Sequence, residues 1–485
     1  MHLLTNYFGD FYLTRMLMQR GMAAIYLVAF LTVRNQFKPL LGERGLLPAP
    51  DFLRHATFRE TPSLFHWRYS DRLLDWVAWS GIGLAVLALA GITETGPIWV
   101  SVAAWLALYA LYLSVVNVGQ TFFGFGWESM LLEAGFFTAF LGPSHVRPSV
   151  IPIVILRWML FRTEIGAGLI KLRHDRCWRD LTCMYWHYET QPLPNGLSWY
   201  FHWIPRPVHR FSAGYSHFVQ VVAPFFLFAP QPVAFVAGVI LISQQAVLII
   251  SGNYSWLNWL TVVLGFSAFD DRVWRYAEPV LAGRPLAWDA VLWVLGLVVL
   301  ALSIQPALNL ISKAQMMNYS YNRFHLVGAY GAFGNVSKER YEVVIEGTTD
   351  AVITPATEWK EYAFKGKPGD VRRRPPQVAP YHLRLDWMVW FLPFGVAVTG
   401  HGIRVHGHKL WFLRFVKRLL ENDARILGLM RGNPFADGAP THVRAQFYQY
   451  WYTTAEERRA TAAWWRRELL GTYMPAVNLG MMVDL

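Results

Sequence analysis

Long apolar stretches separated by short polar links run through the first two thirds of the chain, and their length predicts helices. A helix needs ~20 predominantly apolar residues to cross a bilayer. Stretches of that kind lie at roughly Leu74–Gly91, Pro97–Val118, Phe122–Leu141 and Val150–Leu172. Between Phe211 and Phe269 there is no Asp, Glu, Lys or Arg, and this interval accommodates three more, at Gly214–Phe228, Pro232–Ser251 and Asn253–Phe269. A last stretch runs from Leu286 to about Leu308. Ahead of them the shorter run Gly21–Val33 reads as a membrane anchor extended upstream towards Arg15, because no small-residue cleavage site follows it. The expectation is eight or nine spans.

Two long links interrupt this half, Arg34–Leu73 and Arg173–Ser212, both dense in Trp, Tyr, His and Pro. Amphipathic rings favour the membrane interface, which is where these links are expected. Pro192, Pro194, Pro205 and Pro207 forbid one continuous helix in the second. Past residue 319 the pattern changes. Tyr341–Glu346 and Trp359–Lys365 read as strands, Val443–Tyr452 alternates as a strand does, and Trp411–Leu429 has helical spacing. The expected fold is therefore a polytopic all-α transmembrane bundle over residues 1–312, followed by a soluble, mainly β domain with helical insertions over 319–485. The seven basic residues of the Arg34–Leu73 link argue by the positive-inside rule for a cytoplasmic link, and nine spans would put the carboxyl-terminal domain on the same side.

Composition agrees with the membrane reading. Hydrophobic residues make up 54% and charged residues 16%, against about 25% charge in a soluble domain. Disordered and disulfide-scaffold classes are excluded by the 77 aromatic residues (23 Trp, 22 Tyr, 32 Phe) and by only two Cys. The net charge of +12 is concentrated beyond residue 312, a surface that suits anionic headgroups; no nucleic-acid module accompanies it. Membrane lipids are the expected partners, and nucleic acid is not.

Charges at membrane depth are costly, so they pair or line a cavity. Glu128, Glu133, Arg157, Arg162 and Glu164 form such an intramembrane polar cluster, and a pair between Glu133 and Arg157 is expected. Arg157, Glu164 and Lys171 recur every seven residues and share a helix face, where Gly166, Ala167 and Gly168 admit a close neighbour. An ion-paired structural bundle and a functional polar pocket are both compatible with this. Cys177 and Cys183 leave free thiols or a local disulfide open, with free thiols the expectation. His174, His187, His202, His209, His217, His401, His406 and His408 are irregularly spaced, so no metal site is expected. No phosphate-binding loop, zinc-protease motif or nucleophile elbow occurs.

Motifs distributed in order along the chain resemble the lipase maturation factor family. They include Gly119-Gln120-Thr121-Phe122, Leu131–Phe136, Arg157–Arg162 and His187–Pro194. Ser251-Gly252-Asn253-Tyr254, Tyr330-Gly331-Ala332-Phe333, Glu342–Gly347, Lys367–Asp370 and Arg384–Trp387 continue the series. Glu128 stands where the family usually has Asp. The resemblance implies a membrane protein of the endoplasmic reticulum that helps secreted lipases reach their active state, with client proteins as partners and no cofactor. Arg- and Ala-rich usage points to a bacterial member, whose place would be the cell membrane.

Ala167–Leu172 with Asp175 and Trp178 is also similar to a stretch of the vitamin K-dependent γ-carboxylases, in which a Lys at this place deprotonates a quinol. Lys171 would be the catalytic base of that alternative and a quinone its cofactor; a transporter is a third reading. The candidate functional loop comprises Lys171, Trp178, His187, Tyr188, Glu189, Thr190, Gln191 and Pro192. Tyr188, Trp199 and Trp203 are expected to anchor it at the membrane interface, leaving His187, Glu189 and Gln191 on an ordered surface.

Overall fold

The computed structural model describes residues 7–274, 279–400 and 402–483, so His401 lies outside the described residues. The amino-terminal half is built from α1 (Tyr12–Leu41), α2 (Asp71–Ala90), α3 (Ile98–Asn117), α4 (Gly126–Thr138) and α5 (Val150–Arg173). It continues with α6 (Arg206–His217), α7 (Val233–Ser251), α8 (Leu257–Gly265), α9 (Leu286–Leu302) and α10 (Ile304–Ile311). Among the described residues, six helical segments are long and apolar enough to cross a membrane: α1, α2, α3, α6 with its continuation to Phe228, α7, and α9 with α10. The eight or nine expected from hydropathy are not all of that kind. The helix α4 has only 13 residues, and α8 belongs to a short apolar segment ending at Ala268. The 24-residue α5 is interrupted by Arg157, Arg162, Glu164 and Lys171.

Helix boundaries shift where buried polar groups find partners. The first helix is 30 residues long and absorbs Arg34–Leu41 of the expected link, because its polar side chains are satisfied by tertiary contacts. Arg15 donates to the carbonyls of Val146 (2.6 Å) and Ser144 (2.8 Å), Gln19 to Gly142 (2.9 Å) and Gln36 to His382 (2.6 Å). The span expected from Gly214 begins at Arg206 and passes through a π-helical stretch, Phe218–Val222, before Pro224. The expected proline-broken link resolves into short helices at Met184–Thr190 and Ser198–His202.

The carboxyl-terminal half holds β1 (Arg340–Thr348), β2 (Lys360–Glu361), β3 (Val396–Thr399), β4 (Gly402–Val405), β5 (His442–Tyr452) and β6 (Trp465–Val477). Four of them form an antiparallel sheet in the order β2-β1-β5-β6, with Val343 opposite Phe447. The strand expected over Trp359–Lys365 shrinks to two residues. The helix expected over Trp411–Leu429 ends at Leu420, and a separate turn, Ala424–Leu427, follows Asn422, which has φ of 52°. Two helices, α11 (Arg384–Trp390) and α12 (Leu410–Leu420), pack beside the sheet.

Both faces of this sheet are covered, which is why β1 is buried along nearly its whole length, charged residues included. Val343, Ile345, Ala445 and Phe447 join the main core with Phe412 and Phe415 of α12. Val344, Tyr450 and Tyr452 point the other way and pack with Trp464, Trp465 and Trp199, the last from the link after α5. That link is thus seated on the sheet.

Candidate functional site

Three polar networks of the membrane half contain predicted site residues. In the first, Glu133 pairs with Arg162, correcting the expected partner Arg157. The other carboxylate oxygen of Glu133 accepts from the Gly328 N–H (2.8 Å) and the Tyr330 hydroxyl (2.7 Å). Arg157 instead donates to backbone carbonyls, Leu227 at 2.8 Å and Ser267 at 3.1 Å from Nε. Residue spacing could not show this, because the competing acceptors belong to unwound ends of distant helices. In the second network, Glu128 pairs with Arg384 of α11 at 2.8 Å and accepts from Tyr112. An ion pair therefore joins the helical half to the carboxyl-terminal half with both partners fully buried.

The third network belongs to the candidate loop, which is buried where a surface was expected. His187, Glu189, Thr190 and Gln191 are each at most 7% exposed. His187 shares a hydrogen bond with the Tyr254 hydroxyl at 3.0 Å, and Tyr254 donates to Gln191 Oε1 at 2.5 Å. The Gln191 amide donates to the carbonyls of Tyr188 (3.1 Å) and Ser251 (3.0 Å). Gly252 is required here for space: a Cβ on it would overlap Gln191 Oε1. Glu189 accepts from the Tyr452 N–H at 2.6 Å, and Thr190 donates to the Trp186 carbonyl at 3.0 Å. Burial pushes the Glu189 carboxyl up to about 7 and the His187 imidazole down to about 3.

Arg340, at the start of β1, is the residue that sequence reasoning missed. It donates to the carbonyls of Glu189 (2.9 Å), Gln191 (2.5 Å) and Pro192 (3.2 Å), while Glu342 holds its guanidinium at 2.6 Å. Lys367 completes this buried cluster at 2.6 Å from Glu342. The available signal was the pair Arg340 and Glu342 on one face of a strand otherwise reading as core. Trp199 and Trp203 both donate to the Thr453 carbonyl, at 2.8 and 3.1 Å. Together with buried Tyr188, they dock the loop on the sheet domain.

Cys177 and Cys183 form a disulfide, not free thiols, and pack with Trp178 and Met184 in a small core. Among the described residues the close metal-ligand group is Asp175 with these two cysteines, whose sulfurs are bonded to each other. His174, His209 and His217 hydrogen-bond backbone carbonyls of Ile170, His202 and Trp178.

Between the two halves lies a cavity of about 950 Å³. One end is polar and belongs to the bundle: Glu164, Lys171, Gln220, Gln244 and Gln245. The other is aromatic and belongs largely to the carboxyl-terminal half, with Trp387, Trp390, Phe391, Phe394 and Trp411 facing Phe125 and Trp127. His187, Thr190, Gln191 and Pro192 form part of the wall. Lys171 donates to Gln220 at 2.7 Å and Ser216 at 3.4 Å, and its ammonium sits 4.8 Å from the Trp178 ring centre. Trp178 donates to the Phe333 carbonyl at 2.8 Å, fixing the Tyr330–Phe333 segment against α5. Gly166 is needed there because a Cβ would overlap the Tyr330 carbonyl.

Comparison with known proteins follows this division. A family model described as the lipase maturation factor transmembrane domain matches residues 13–276, and one described as the lipase maturation factor C-terminal domain matches 326–475. The chain is 39% identical to lipase maturation factor 1 of Homo sapiens, over 97% of this chain and 89% of that protein. It is 40% identical to the Bos taurus form, over 97% and 90%. Lipase maturation factor 2 of Homo sapiens is 28% identical, over 96% of this chain and 83% of its own length. No solved structure matches the chain.

Proposed function

This chain is an integral membrane protein belonging to the lipase maturation factor family, and we propose that it brings secreted lipases to their folded, active state. The observation that carries this is the match of both halves, in order, to relatives named for that role. None of these relatives favours the carboxylase-like alternative, and in our reading the protein acts on its clients without a cofactor and without covalent chemistry. The endoplasmic reticulum is the membrane this family role calls for, or the cell membrane in a bacterium. Membrane lipids surround the bundle, nucleic acid has no part, and the functional units are residues 1–312 and 319–485.

The same reading includes nine crossings, the six apolar segments plus α4, α5 and α8. Their ends support it. Short α8 begins beside Trp127, whose carbonyl accepts from Trp256 at 3.0 Å, and is followed by Asp271, which accepts from the first turn of α1. The strongly charged α5 starts after Arg147, bonded to the Ala282 carbonyl, and is followed by Asp175, bonded to the Gly334 carbonyl. Most side chains of both helices are buried.

Client contact is assigned to the aromatic rim of the cavity, where Phe391, Phe394 and Leu410 are exposed. A photoreactive residue at Phe394 or Leu410, in membranes from cells co-expressing a dimeric lipase, should trap the lipase precursor. Lipase activity recovered per molecule secreted should fall when Phe391 and Phe394 are both changed to Ser. Unchanged lipase activity in cells lacking the protein altogether would refute the reading.

A further inference from the structure

The polar end of the cavity contains two acceptor oxygens without an aligned donor among the described residues. Glu164 is 1% exposed; its Oε1 accepts from Gln245 at 2.8 Å and Gln220 is a second donor to its carboxyl, while Oε2 lacks an aligned donor among the described residues. Gln244 is 6% exposed; its amide nitrogen donates to Ser216 at 3.2 Å, and its Oε1 is likewise unpartnered. Both residues line the cavity. Buried polar groups are paired in folded proteins, and leaving one unpaired costs roughly 1–3 kcal/mol, so two on one wall point to a missing donor.

The rest of the cavity describes the body of that donor. Leu248, Leu257, Met388, Trp390, Phe391 and Trp411 make the wall predominantly apolar. Water suits the polar end but is held poorly by the apolar remainder, and about 950 Å³ lies near the top of the range of about 300–1,000 Å³ in which small ligands are bound. The head end carries one acidic and one basic side chain, Glu164 and Lys171, and Lys171 already has its partners in Gln220 and Ser216. A carboxylate or phosphate head would meet the free oxygen of Glu164 and be repelled. An ammonium head would find one carboxylate but would lie beside Lys171. A head with two hydroxyls has neither problem: one donates to Glu164 and the other to Gln244 Oε1, and with the Gln244 amide turned a single hydroxyl donates to Glu164 while accepting from the amide nitrogen.

We propose that this cavity is a binding site for a neutral amphiphile with a hydroxyl-bearing head, seated with its hydroxyls on Glu164 and Gln244 and its apolar body among the aromatic residues between the two halves. The site is independent of the client reading, because it is defined by the purified protein alone.

The test uses the full chain in detergent and a monoacylglycerol carrying a diazirine in its acyl chain and an alkyne for detection. On illumination, adducts should map to peptides containing Trp127, Leu248, Leu257 or Phe391. Excess unlabelled monoacylglycerol should suppress them, and the matching fatty acid at pH 8 should not. Glu164→Leu should lower labelling about tenfold, equivalent to about 1.4 kcal/mol. Leu257→Trp, which fills the apolar wall and leaves every polar group in place, should lower it comparably while the protein still elutes as a single species. Four results would overturn the proposal: adducts confined to the outer surface of α9, equal competition by the fatty acid, indifference to both substitutions, or a copurifying polypeptide that blocks labelling. Loss of lipase maturation with labelling intact would count against the client reading and leave this site standing.

Discussion

Replacing Glu133 by Gln tests how the bundle holds its charges. The two partners, Glu133 and Arg162, are 0% and 2% exposed at their side chains, so neither is screened by water. Removing one charge of such a pair strands the other, at a cost of about 3–5 kcal/mol. Here the neutral amide must also replace a carboxylate that accepts from both Gly328 N–H and Tyr330 O–H. We therefore expect Glu133→Gln to lie at the upper end of that range, and Arg162→Met to cost a similar amount. The double variant Glu133→Gln/Arg162→Met should cost less than the sum by about 1–3 kcal/mol, because no charge is left alone. Glu133→Gln combined with Arg157→Met should be additive within about 0.5 kcal/mol, since Arg157 bonds carbonyls and not Glu133. An exchange of the two charges should fail to rescue, because an Arg at 133 would face the Gly328 and Tyr330 donors. Unfolding midpoints in mixed micelles, followed by Trp fluorescence, measure all of these. Coupling of Glu133 to Arg157 and not to Arg162, or a single-variant cost below about 1 kcal/mol, would refute the assignment.

Two further outcomes follow from the buried loop. Burial raises the Glu189 carboxyl from 4.5 to about 7, so its contribution to stability is present below 4.5 and lost as pH rises through about 7. His187 is shifted down from 6.5 to about 3, so its contribution is present above 6.5 and lost as pH falls through about 3. Glu189→Gln should flatten the decline between pH 4.5 and 7, and His187→Gln the decline on the acid side; a pH series of unfolding midpoints decides, and parallel curves for wild type and both variants would be the wrong result. Gly252→Ala should disorder the loop, measured as new protease cleavage between Met184 and Trp203, because its Cβ overlaps Gln191. Gly83→Ala, in α2 with nothing near its Cβ, should leave cleavage unchanged and stabilise by about 0.5–1 kcal/mol.

What the sequence determined by itself is whatever depends on neighbouring residues along the chain. Apolar stretches locate the membrane helices, alternation locates β5, and prolines from 192 to 207 break the second link. Ordered motifs point to the family. What only the tertiary structure decided is which partner each buried polar group takes. Glu133, Arg157 and Arg162 lie within 30 residues of one another, yet the choice among them depends on Gly328, Tyr330, Leu227 and Ser267, contributed by remote segments. The loop from Lys171 to Pro192 is polar enough to read as surface, and it is buried because Arg340 and Tyr452 of the sheet domain satisfy its carbonyls and the Glu189 carboxylate. Hydropathy records the cost of burying a polar group in isolation. It contains nothing about a hydrogen-bond partner more than 100 residues away, and that partner is what makes the burial, and the cavity it encloses, stable.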